Sequence, residues 1–217
     1  FHVYDNEKLL GFAATKLEEI GGDLLIGDMD LHETEKYDYA GNAVLQRFEL
    51  PALTTVWGDI QLSGNAAMQT FGLNGLVTVS GQIVVGEAEL SRHSTSGNQI
   101  LTQMDLSSLE TVTGQLYVAG NPRLRAIEID KATQIGFGIT VYASEDLESF
   151  SAKKLTGVGG EIWIGGLDHS DSNVADWASN PALHTIDLPL LASVTGRFML
   201  SGLDSLPSLD LPALTDV

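Results

Sequence analysis

Leu53–Leu76 reads LTTVWGDIQLSGNAAMQTFGLNGL and Leu109–Ile129 reads LETVTGQLYVAGNPRLRAIEI, one pattern in two sets of residues. In each, L-x-x-V leads into a short stretch of alternating apolar and polar residues, then Gly-Asn, then a second alternating stretch. Period-2 alternation is the mark of a half-buried strand. Taking the first apolar residue of each copy as marker gives Leu17, Leu53, Leu76, Leu109, Ala132, Leu155, Leu191 and Leu214, at intervals of 36, 23, 33, 23, 23, 36 and 23. The base period is 23, and the longer intervals exceed it by 13, 10 and 13 residues, each time just before the Asn. Insertions are therefore expected near 28–40, 87–96 and 167–179.

The expected inward pairs of the first strand include Leu24/Ile26, Ile60/Leu62, Ile83/Val85 and Leu116/Val118; those of the second include Phe48/Leu50, Phe71/Leu73 and Ile127/Ile129. A third pair, such as Leu53/Val56, closes each turn of the chain. Twenty-three residues hold two strands and three turns with no room for a regular helix, so successive copies must stack their strands in parallel. The fold class that follows is all-β: a right-handed parallel β-solenoid of about nine coils of 23 residues with three insertions, one domain over residues 1–217. Val3, Leu9, Phe12 and Ala14 read as a partial first coil and the chain stops mid-coil at Val217, so a longer parent protein is expected. Asn42, Asn65, Asn98, Asn121 and Asn180 recur at one corner, replaced by Ser144 and Leu203; stacked in register, they would hydrogen-bond the backbone of neighbouring coils. A shift of 138 residues also superimposes Leu17–Val79 on Leu155–Val217, read either as an old duplication of six coils or as two independent uses of one loop design.

Composition narrows the function. Eleven Lys and Arg against 29 Asp and Glu leave a net charge of −18, which disfavours nucleic acid and anionic membranes as partners. No apolar run approaches the roughly 20 residues of a membrane helix, so direct membrane insertion is not expected. The absence of cysteine excludes disulfides and thiolate metal sites.

The two quoted segments resemble the receptor L-domain branch of leucine-rich-repeat proteins, the type found in insulin- and EGF-type receptors, and more closely the repeats of fungal cell-wall and bacterial surface proteins. That resemblance implies an exported, non-catalytic surface module that binds proteins or glycans. Receptor L domains usually carry disulfides and the fungal proteins are glycosylated, whereas this chain has no cysteine and no N-x-S/T sequon. The expected setting is therefore extracellular, on a bacterial cell surface.

Three groups of outward residues are candidate contacts. On the first strand the outward row is Leu25, Gln61, Val84, Tyr117, Thr140, Trp163 and Met199. Leu25, Val84 and Trp163 belong to coils with insertions, and each insertion is expected to fold back over its own strand, with Trp163 packing on Trp177. Tyr117, Tyr142 and Met199 are then expected to stay open for a glycan or a protein, with Trp163, Tyr39 and Trp177 as further candidates. On the second strand the outward residues Glu49, Asp105, Glu128, Asp187 and Asp210 form an acidic stripe, read either as a track for a basic partner or cations or as a solvated face. Asp28, Asp30, Asp168 and Asp171 are weak calcium candidates within the insertions, which also carry His32, His93 and His169. No compact ligand motif accompanies them, so no cofactor is expected. With no nucleophile elbow, phosphate loop or dinucleotide fingerprint, the expected class is a recognition or adhesion module. The alternatives are a structural spacer and, more remotely, a glycan-active solenoid enzyme.

Overall fold

The computed structural model describes residues 1–27, 41–86, 97–166 and 179–217. Among them there is no helix, and every strand pairs in parallel. The first strands form an eight-stranded sheet in the order His2–Val3, Leu24–Gly27, Ile60–Ser63, Ile83–Gly86, Gln115–Ala119, Gly138–Tyr142, Glu161–Gly165 and Phe198–Ser201. These eight rungs number coils 1 to 8, one fewer than the approximate count from the period. Coils 2, 4 and 7 contain the insertions, and register is kept across them: Ile83 pairs with Ile60 on one side and with Leu116 on the other.

The L-x-x-V segments, expected to supply a third inward pair that closes the coil beside two strands, themselves contain strands of two residues. Seven of them, from Glu19–Ile20 to Ser193–Val194, form a third sheet, and Asp216 bridges to Ser193 as an eighth rung. The coil is therefore three-sided. Between faces the chain bends through tight turns closed by i to i+3 bonds, such as Met68 N–H to Asn65 O at 2.9 Å and Leu76 N–H to Leu73 O at 2.9 Å. Each places an apolar side chain inward at its fourth residue.

The inward assignments hold along the stack. Ile60, Leu62, Leu53, Val56, Leu109, Ile127 and Ile129 are fully buried in one continuous core. In the second strands of coils 1 to 3, Phe12, Phe48 and Phe71 stack with centroids 5.4 and 5.6 Å apart and rings within 9° and 5° of parallel. At the ends of the stack the inward residues lose a neighbour: Phe12, Leu200 and Leu214 are only partly buried.

The second face is divided. Gly11–Ala13, Arg47–Glu49, Thr70–Gly72 and Gln103–Asp105 make one sheet, Ala126–Glu128, Ser149–Ser151 and Thr185–Asp187 another.

Candidate functional site

The Asn column supplies the rigidity on which any site here rests. Asn98 is fully buried; its Nδ2 donates to Leu62 O at 2.9 Å and its Oδ1 accepts from Asn65 N–H at 3.2 Å, both in the preceding coil. Asn42, Asn65, Asn121 and Asn180 make the same donation to Val3, Ile26, Val85 and Val141. One side chain thus satisfies two backbone groups that the bend takes out of the sheet ladder. At Ser144, too short to reach the preceding coil, the column breaks between coils 5 and 6. That step carries every ion pair found among the described residues: Arg123 to Asp146 at 3.0 Å, Arg125 to Glu148 at 3.6 Å, and Lys153 to Asp130. Unlike charges one period apart face each other across adjacent coils, where such pairs stabilise a sheet.

The outer row of the first face differs from expectation. Tyr117 and Tyr142, expected to stay open, are 9% and 6% exposed. Their rings meet edge to face at 5.8 Å, their hydroxyls lie 2.5 Å apart, and with Val84 and Ala119 they form a small apolar cluster outside the main core. An aromatic ring on an outward row is partly covered when the neighbouring coil places a second one diagonally beside it. Leu25 and Val84 are buried as well. Trp163 and Met199, paired in register, are half-buried, and the Trp163 indole N–H is buried without an acceptor. Tyr39, Trp177, Asp28, Asp30, Asp168 and Asp171, and the folding of the insertions over their strands, lie outside the described residues.

The open surface is the second face. Glu49, Gly72 and Asp105 align in register, as do Glu128, Ser151 and Asp187 across the break. Glu49, Asp105, Glu128 and Asp210 are exposed and Asp187 is half-buried. Two contiguous recesses run along this face. One of about 680 Å³ is lined by Leu10, Phe12, Gln46, Arg47, Glu49 and Gln69; one of about 970 Å³ reaches from Glu49 and Gly72 past Gln103 and Asp105 to Arg125 and Glu128, over the broken pairing. Gly72 leaves a notch between the Glu49 and Asp105 side chains, which stand two coils, or about 9.6 Å, apart.

Past Glu128 the stripe is partly neutralised. Asp130 accepts from the Ser151 hydroxyl, the Lys153 ammonium and the Lys153 N–H. Burial pushes the Asp130 carboxyl up, but those bonds and the charge of Lys153 outweigh it and hold the group below its ordinary 3.8. Lys153 is raised above 10.5, first by its hydrogen bond to Asp130, then by that carboxylate's charge, with lesser help from Asp187 and Glu128. Among the described residues, no group of three His, Asp or Glu is arranged to hold a metal.

Sequence reasoning missed one corner. Trp57 and Phe137, where the third face turns into the first, are 57% and 71% exposed. The signal was available: Phe137 interrupts a column occupied by Gly22, Gly58, Gly81, Gly114, Gly160 and Gly196. Compared with protein-family models, curated proteins and solved structures, the chain matches none.

Proposed function

We propose that this chain is a non-catalytic recognition and adhesion module of receptor L-domain type, working outside the cell, that holds a protein or glycan partner against its second face. The observation that carries this reading is the recess over coils 2 to 5, where the carboxylates of Glu49, Asp105 and Glu128 border a strip of small and neutral polar residues. A rigid stacked sheet offers such a groove with little ordering cost on binding. Its charge selects a partner with basic side chains and makes association sensitive to salt.

An array carrying synthetic Lys-rich extended peptides beside neutral and acidic glycans tests this. The intact chain is expected to bind the basic peptides at low salt, with affinity falling as salt rises. In Glu49→Gln/Asp105→Asn/Glu128→Gln that binding is lost while the melting temperature stays within a few degrees. Binding that ignores both the triple variant and salt refutes the assignment to this face.

A further inference from the structure

The column interrupted by Phe137 is closed to side chains almost everywhere else. A Cβ would lie 2.1 Å from the Asp23 carboxylate at Gly58, 2.6 Å from Gly81 O at Gly114, and 1.6 Å from Phe137 O at Gly160. In coil 6 Phe137 stands between two glycines: Gly136, where a Cβ would lie 1.9 Å from Thr113 O, and Gly138 at φ 155°, in a column that carries Asp23, Asp59, Gln82, Gln115, Glu161 and Arg197 in coils 2 to 5, 7 and 8. Phe137 N–H still donates to Gly114 O at 3.0 Å, so the corner remains tied to the coil before it. The glycine at 138 carries an entropic cost, and the ring beside it is 71% exposed, so burial offsets little of it. A local rule broken with no gain in packing marks a functional position.

Phe137 stands at the end of a shelf. Asp59, Gln82 and Gln115 project from the adjacent column in coils 3 to 5, over a floor left bare by Gly81 and Gly114, and with the ring they border a recess of about 380 Å³. Their side chains are held in place: Asp59 Oδ1 accepts from Gln82 N–H at 2.9 Å, and Gln115 Nε2 donates to Gln82 Oε1 at 3.0 Å. This leaves Asp59 Oδ2, Gln82 Nε2 and Gln115 Oε1 as acceptor, donor and acceptor at steps of about 4.8 Å. With one carboxylate and no cationic side chain, the lining disfavours phosphate, sulfate and acidic sugars. One ring offers little of the desolvated apolar area that anchors a protein interface. It does match a pyranose, which has an apolar C–H face and a rim of hydroxyls that donate and accept.

We propose that this recess binds a neutral oligosaccharide, one sugar ring stacked on Phe137 and the hydroxyls of the units beside it hydrogen-bonded by Gln115, Gln82 and Asp59. The site lies on a different corner from the acidic groove and shares with the function proposed above only the premise that the chain is a binding module. Affinity electrophoresis of the intact chain tests it, in separate gels containing a β-glucan, a mannan and a galactan. The wild type is expected to be retarded in at least one gel. Phe137→Ala, which keeps the Cβ and removes a mostly exposed ring, should weaken retardation about tenfold with a melting temperature within a few degrees of wild type; Phe137→Trp should keep the retardation. The triple variant of the acidic groove, compared with its own mobility in a sugar-free gel, should be retarded to the same extent as the wild type, so failure of either site is read separately. Passage of the wild type through all three gels without delay overturns the proposal, as does undiminished retardation of Phe137→Ala. If Phe137→Ala instead loses only the capture of a protein, the ring is a protein contact and the sugar assignment falls.

Discussion

Coils with and without an insertion leave the first face by different routes and arrive at the same Asn. In the plain coils 3, 5, 6 and 8 the residue before the Asn position is left-handed: Gly64 at φ 64°, Gly120 at 65°, Ala143 at 50° and Gly202 at 62°. In the inserted coils 2, 4 and 7 the positive φ comes one residue earlier and is wider, at Gly27 (106°), Gly86 (98°) and Gly165 (121°). An L residue can occupy the first conformation at modest cost, as Ala143 does, but not the second. There the backbone also passes so close to the next coil that a Cβ on Gly27 or Gly86 would lie 1.7 or 1.8 Å from a carbonyl oxygen. The exit can therefore be rebuilt at a single glycine, while the buried Asn that receives the returning chain keeps the stack in register.

The largest effect that separates the two corners is expected from Gly86→Ala. Strain at φ 98° combined with the clash on Ala119 O should cost upward of about 3 kcal/mol, whereas Gly120→Ala should cost about 1 kcal/mol. Chemical denaturation measures both, and equal losses would break the distinction. Next come the asparagines, which the two corner types share. Asn98→Ala and Asn121→Ala should each cost about 2–4 kcal/mol, because each removes the donor to a buried carbonyl, Leu62 O or Val85 O. A loss confined to one of them would show that the column depends on the insertions. Deleting residues 87–96 joins Val85-Gly86 to Gly97-Asn98, which has the spacing of Leu62-Ser63-Gly64-Asn65. That variant should keep the all-β circular dichroism spectrum, with a melting temperature lowered by a few degrees; an unfolded product would mean that the inserted corner cannot revert to the plain one.

The smallest effect concerns the step where the column fails at Ser144. Asp130 is lowered, so its contribution is complete above 3.8 and is lost as pH falls through the depressed value. Lys153 is raised, so its contribution is complete below 10.5 and is lost as pH rises through the elevated value. The pair therefore adds a plateau of stability between those limits. Lys153 is exposed and Asp130 only half-buried, so the gain is small. Asp130→Asn should lower the melting temperature slightly at pH 7 and leave it unchanged well below pH 3.8; a loss that persists in acid would place the role of Asp130 in packing instead.

The period, the inward residues, the three insertion points and the corner asparagines were all legible in one dimension. Burial on a strand alternates locally, and a repeat shows the same choice many times over: Leu109, Ile127 and Asn98 stand where the pattern places them. What lies outside a strand is decided otherwise. The exposure of an outward side chain depends on everything that other parts of the chain bring against it, so Tyr117 and Tyr142, alike in sequence to open contact residues, are buried and meet each other edge to face. Phe137, which looks like a core residue in a run of glycines, stands in solvent. Tertiary structure also revealed the third sheet, since two-residue strands give no periodic signal, and the broken pairing over which the acidic groove runs. Inward and outward are properties of the chain itself, whereas open and closed are properties of its neighbours.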